Sequence, residues 1–157
     1  MNARIDSNKY MSSGLGRAML HLENEVQKSG LEKNLVELIK IRASQINGCA
    51  YCLDMHTKDA RAAGETEQRI YALNAWRETP FFSERERAAL EWAETVTLVS
   101  QSHVPDEAHD IVKSQFTDDE IFALTFAIVT INAWNRLAIA FRTPAGTYQP
   151  AQVAKAS

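Results

Sequence analysis

The 157 residues carry 45% apolar and 24% charged side chains and a formal charge of -3, which excludes intrinsic disorder and leaves room for one compact core rather than two. Lys and Arg are interleaved with acids, so no basic stripe follows a phosphate backbone and a nucleic-acid partner is not expected. The opening MNARIDSNKY lacks the apolar run of a signal peptide, so the expectation is a single cytoplasmic domain over 1–157, with a core at about 15–142 and an extended tail over 143–157.

In chain order, a first helix is predicted from about Leu15 to Lys28, with Leu15, Met19, Leu22 and Val26 as its apolar stripe and Gly30 as its stop. A second starts near Leu31, carries Leu35, Leu38, Ile39 and Arg42, and breaks at Asn47-Gly48. A third spans Cys49 to Ala63 and ends at Gly64. A fourth covers Glu67 to Arg77, ahead of Pro80.

Ser83-x-x-Glu86 reads as a capping box opening a fifth helix through Ala88, Trp92 and Val96, with Glu84-Arg85-Glu86-Arg87 as a solvated face. Pro105 suits the start of a short helix ending near Gln115. Thr117-x-x-Glu120 is a second capping box and opens the most apolar segment, Ile121 to Phe141. Thr125, Thr130, Asn132, Asn135 and Arg136 inside that segment argue against a membrane span. A helix apolar on nearly all faces points instead to a central position or to a face shared with another subunit, hence a homo-oligomer. No stretch alternates with period two, so the fold class is all-α, a compact bundle with a central helical hairpin.

The chemistry concentrates at Cys49-Ala-Tyr-Cys52-Leu-Asp-Met-His56. Positions 49, 52 and 56 share one helical face, and Cα atoms three apart on a helix, at about 5 Å, lie within the range of a disulfide. A loop this short makes a poor structural staple, so the two cysteines point to redox or metal chemistry rather than architecture. Cys49 follows the Gly48 break, where unpaired N–H groups and the helix dipole favour a thiolate. His56 has an imidazole suited to moving protons near neutrality. If the second and third helices fold back around Asn47-Gly48, the residue opposite His56 is Glu37, partly buried among Leu35, Val36, Leu38 and Ile39. His21, His103 and His109 have no cysteine in phase and are read as surface or packing residues.

Glu37, an eleven-residue gap, and then Cys49-x-x-Cys52-x-x-x-His56 resemble the core motif of the AhpD-like alkylhydroperoxidase branch of the carboxymuconolactone decarboxylase family. Ile131-Asn-Ala-Trp-Asn-Arg-Leu-Ala-Ile-Ala-Phe-Arg142 resembles that family's final core helix. The resemblance implies an all-helical fold assembled as trimers or hexamers, and thiol peroxidase activity without a metal or organic cofactor. It further implies Cys52 as the peroxidatic cysteine, Cys49 as its resolving partner, Glu37 and His56 as a proton relay, a hydroperoxide as substrate and a lipoyl- or thioredoxin-type dithiol protein as reductant. The dipole argument, taken alone, favours Cys49 as the more acidic thiol. Tyr51 stands where the best-known peroxidase branch has a histidine.

Three other readings compete. A zinc site of Cys49, Cys52, His56 and Glu37 is disfavoured because long amphipathic helices, not a metal, supply the core. A decarboxylase acting on a cyclic acid, which the wider family includes, does not use a cysteine pair. A redox-sensing or disulfide-exchange oligomer would use the same pair without turnover.

Overall fold

A computed structural model describes residues 2–150, and every regular element among them is helical. Eight α-helices follow one another: α1 (Gly14–Gln27), α2 (Lys33–Asn47), α3 (Ala50–Ala62), α4 (Glu67–Ala72), α5 (Glu84–Thr97), α6 (Val99–Ser102), α7 (Asp106–Lys113) and α8 (Asp118–Phe141), with 3-10 turns at Ser7–Tyr10 and Leu73–Glu78.

The centre of the molecule is α2 rather than the apolar α8. Leu35, Val36, Leu38, Ile39 and Ile41 of α2 are buried on successive faces, because α3, α5 and α8 all pack on it. Burial of each such side chain contributes about 1.5–3 kcal/mol. On one side Leu35, Val36 and Ile39 meet Trp92 of α5, Val112 of α7 and Leu124 and Ile128 of α8. On the other, Leu38 and Ile41 meet Ala60 of α3, Leu73, Trp76 and Leu90. A third, smaller cluster joins Ala43, Cys49, Cys52 and Ile131, with Tyr51, Trp134 and Ala138 against it.

The turn between α2 and α3 is fixed from both sides. Gly48 ends α2 at φ 70° and ψ 34°, a left-handed conformation that glycine adopts without penalty. From α8, Asn135 donates to Ser44 Oγ at 3.0 Å and its Oδ1 accepts from Asn47 Nδ2 at 2.8 Å. Asn132 Oδ1 accepts from Asn47 Nδ2 at 3.0 Å, and its own amide reaches Thr97 at 3.0 Å. The polar residues of α8 therefore latch the hairpin turn. By length and composition α8 is apolar enough to cross a membrane, but these amides are spent inside the fold, where each replaces a hydrogen bond to water.

Several sequence expectations are corrected. Leu15 is 85% exposed and drops out of the expected α1 stripe, of which Val26 is buried and Met19 and Leu22 are half-buried; α1 also turns Leu20, Glu23 and Gln27 toward a cavity. The fourth helix does not run through to Arg77: it tightens to 3-10 after Ala72, with Ala75 non-helical at φ -118° and ψ 28°. The Glu84–Arg87 run is not merely solvated. Arg85 bridges Glu32 and Glu120, Arg87 donates to the carbonyls of Trp76, Arg77 and Thr79, and Glu86 takes Arg69 while closing the Ser83 capping box. The tail is extended over 143–150 but docked: Gly146 N–H donates to Asp54 at 2.9 Å, Lys58 to the Tyr148 carbonyl at 2.9 Å, and the Tyr148 hydroxyl to Asp59 at 2.8 Å. Residues 151–157 of the expected tail lie outside the described residues.

Candidate active site

Cys49 is the N-cap of α3, not its first helical residue: its backbone is extended at φ -84° and ψ 96°, and its Sγ accepts from Cys52 N–H at 3.4 Å. The sulfur at position 49 thus sits where an N-cap oxygen usually does, facing orphan amide donors that favour negative charge. Cys49 and Cys52 are joined as a disulfide, with Cα atoms 5.4 Å apart. Both are buried, but they are not equivalent. Cys52 contributes to the wall of a cavity of about 400 Å³, whereas Cys49 is sealed behind it against Ala43 and Ile131.

The fold-back of α3 on α2 places Glu37 opposite His56, with Glu37 Oε2 2.8 Å from His56 Nδ1. Both side chains are largely removed from solvent, at 19% and 7% exposure, so this contact is poorly screened and orients the imidazole. All of Glu37, Cys52 and His56 line the same cavity. Tyr51 lines it too, packing in the cluster around the cysteines with Trp134.

Sequence reasoning missed four further polar residues here. Tyr148, delivered by the tail, donates to both oxygens of Asp59, at 2.8 and 3.0 Å. Burial, that hydrogen bond and the nearby negative charges of Asp59 and Glu37 push its phenol up to about 12. Asp59 carries a carboxylate oxygen within 4.8 Å of the ligand-type atoms of Glu37 and His56. Among the described residues it is these three, rather than the Cys49, Cys52, His56 and Glu37 set weighed and disfavoured as a zinc site, whose ligand-type atoms lie close together.

One turn beyond Glu37 on α2, Lys40 pairs with Glu23 of α1 at 2.5 Å although the lysine is only 3% exposed. Burial works against ionisation of Glu23, but the charge and hydrogen bond of Lys40, aided by Gln27, hold its carboxyl below the usual range. The only sequence hint for this pair was a lysine inside the run Leu35–Ile41, which is apolar apart from Lys40 and Glu37. The rest of the lining is mostly apolar, with Met11, Leu20, Met55, Leu137 and Phe141 among its walls, interrupted by Ser7, Asn8, Gln27 and Thr143.

Comparison with known proteins places this site in context. Residues 14–95 match the model of the carboxymuconolactone decarboxylase family, which spans α1 through most of α5 and contains Glu37, both cysteines and His56. The uncharacterized protein YdfG of Bacillus subtilis is 44% identical over 140 residues, covering 89% of this chain and 95% of that one. A crystal structure from Agrobacterium tumefaciens, of a protein of unknown function offered as an antioxidant defence protein AhpD, is 44% identical with a TM-score of 0.89, over 94% of this chain and all of the other. The debrominase Bmp8 shares the fold at TM-score 0.77 and 21% identity, over 85% of this chain and 72% of that one. The motif, the helical architecture and these likenesses together establish that the chain belongs to the carboxymuconolactone decarboxylase family and is AhpD-like.

Proposed function

We propose that the protein is a thiol-dependent peroxidase that reduces organic hydroperoxides through Cys52. The Cys52 thiolate attacks the terminal peroxide oxygen. An S–O bond forms, the O–O bond breaks, and the released alkoxide takes a proton from the Glu37–His56 pair, leaving an alcohol and Cys52 sulfenic acid. The Cys49 sulfur then attacks the sulfenic sulfur, forming the Cys49–Cys52 disulfide and breaking the S–O bond, and the departing hydroxide leaves as water with the proton given up by the Cys49 thiol. A dithiol protein of lipoyl or thioredoxin type restores both thiols by exchange and is itself oxidised to a disulfide.

One observation carries the reading: of the two cysteines, Cys52 lines the cavity with His56 and Glu37, while Cys49 is sealed behind it within bonding reach. The apolar walls favour an organic peroxide over hydrogen peroxide. This order of cysteines gives access more weight than the N-cap position, which stabilises charge at Cys49 instead.

The test is sulfenate trapping. Cys49→Ser treated with one equivalent of cumene hydroperoxide and dimedone should carry the adduct at position 52. An adduct at position 49 in Cys52→Ser, with none at 52 in Cys49→Ser, reverses the assignment.

The working unit is proposed to be a homo-oligomer, a trimer or hexamer, in the cytoplasm. Phe122, Phe126 and Val129 lie along one exposed face of α8, at 67%, 39% and 47% exposure, with the two phenyl rings 4.7 Å apart. An apolar stripe of this kind is usual for a subunit contact.

A further inference from the structure

Lys40 is buried, charged and in the wall of the proposed active cavity, where an apolar side chain would pack at lower desolvation cost. Its ammonium has three N–H donors. Among the described residues its one protein acceptor is Glu23 Oε1, which leaves two donors for a group in the cavity that Lys40 lines.

Trp134 links the pair to the cluster that holds the sulfurs. That indole packs in the cluster containing Cys49 and Cys52, and its Nε1 donates to Glu23 Oε2 at 3.3 Å. The Glu23–Lys40 pair therefore lies within the length of one side chain of the cysteine cluster.

The charge balance around Cys52 is unusual. Its cavity is faced by Glu23 from α1, Glu37 and Lys40 from α2, Tyr51, His56 and Asp59 from α3, and Tyr148 from the tail, while α8 contributes no charged group. Among these lining residues Lys40 is the single fixed cation against three carboxylates. His56 is already engaged by Glu37 through Nδ1. A thiolate formed out of water beside these carboxylates is disfavoured unless a cation answers it.

We propose that Lys40, held in the cavity wall by Glu23, is the cation that balances the negative charge developing at Cys52 and on the departing peroxide oxygen. Its role in the peroxide step rests on the peroxidase reading above; its action on the sulfur does not. No proton leaves Lys40: the ammonium stays charged throughout, donating hydrogen bonds to sulfur or oxygen while the Glu37–His56 pair supplies the proton.

The experiment separates these two claims. Cys49→Ser leaves Cys52 as the only cysteine of the chain, so thiolate absorbance at 240 nm against pH reads its ionisation with no peroxide present. In that background Lys40→Met should move the midpoint upward by roughly one unit, Lys40→Arg should restore most of it, and Glu23→Gln should move it downward. Opposite shifts are the signature of charge; a merely structural pair would shift neither. If Lys40→Met does not fold, Glu23→Gln alone decides. A midpoint unchanged in every folded variant, or moved downward by Lys40→Met, overturns the inference. In the two-cysteine protein Lys40→Met should lower kcat/KM for cumene hydroperoxide about tenfold at pH 7, the loss shrinking as pH rises. Absence of turnover in the unsubstituted protein would defeat the peroxidase reading and leave the thiolate result to judge Lys40.

Discussion

Replacing Glu37 by Gln probes the relay with little steric disturbance. Gln keeps an acceptor oxygen for His56 Nδ1, which now lies 2.8 Å from Glu37 Oε2, so the imidazole should stay oriented while the negative charge disappears. Two unit charges about 4 Å apart at an effective dielectric near 20 interact by about 4 kcal/mol. Solvation of the separated groups leaves about 1.5–3 kcal/mol for a charge-assisted hydrogen bond. The pair is largely removed from solvent, which places it within that range rather than near the small values of exposed ion pairs.

The expected consequence is a fall in kcat/KM of roughly 10- to 150-fold, with a loss of stability no larger than about 3 kcal/mol. Steady-state reduction of cumene hydroperoxide with a dithiol donor measures the first, and urea denaturation the second. A variant that folds as well as the parent and keeps kcat/KM within about threefold would refute the relay, because a 10-fold loss corresponds to only about 1.4 kcal/mol.

Three other perturbations have defined outcomes. Asn135→Ala strips a fully buried amide from Ser44 and Asn47 and should cost about 2–4 kcal/mol, or roughly 5–15 °C in Tm by calorimetry; a change under about 0.5 kcal/mol would mean the α8 latch is unimportant. Tyr148 is held protonated in the fold, up to about 12, so its contribution is fully present below the ordinary phenol pKa near 10 and is lost as pH rises toward 12. Stability measured across that window should fall more steeply in the parent than in Tyr148→Phe, and equal slopes would contradict the docked tail. Phe122→Asp on the exposed stripe of α8 should reduce the mass seen by light scattering to that of a protomer while leaving the far-ultraviolet spectrum unchanged; an unaltered mass would remove this face from the interface.

How much of the molecule was legible beforehand follows from the range of the interactions. Glu37, Cys49, Cys52 and His56 fall within one helical hairpin, where helix phase and a single Gly48 turn are enough to bring them together. Both capping boxes, at Ser83 and Thr117, are likewise local. Glu23–Lys40 and Asp59–Tyr148 depend on how α1 and the tail pack against the hairpin, across 17 and 89 residues, and no periodicity encodes that packing. Arg85 and Arg87 looked solvated because helical charge runs usually are; here Glu32, Glu120 and loop carbonyls converge on them from distant segments. Trp76 shows the same effect, its Nε1 meeting Glu94, which Arg42 and Arg77 also hold.

The most direct measurement is hydroperoxide consumption per protomer, with a reduced dihydrolipoyl or thioredoxin-type donor in excess. Catalysis through Cys52 predicts many equivalents of peroxide reduced per protomer, none with Cys52→Ser, and loss of cycling with Cys49→Ser after a single oxidation. Consumption that stops at one equivalent in the unsubstituted protein while donor remains would identify a redox sensor and contradict the peroxidase.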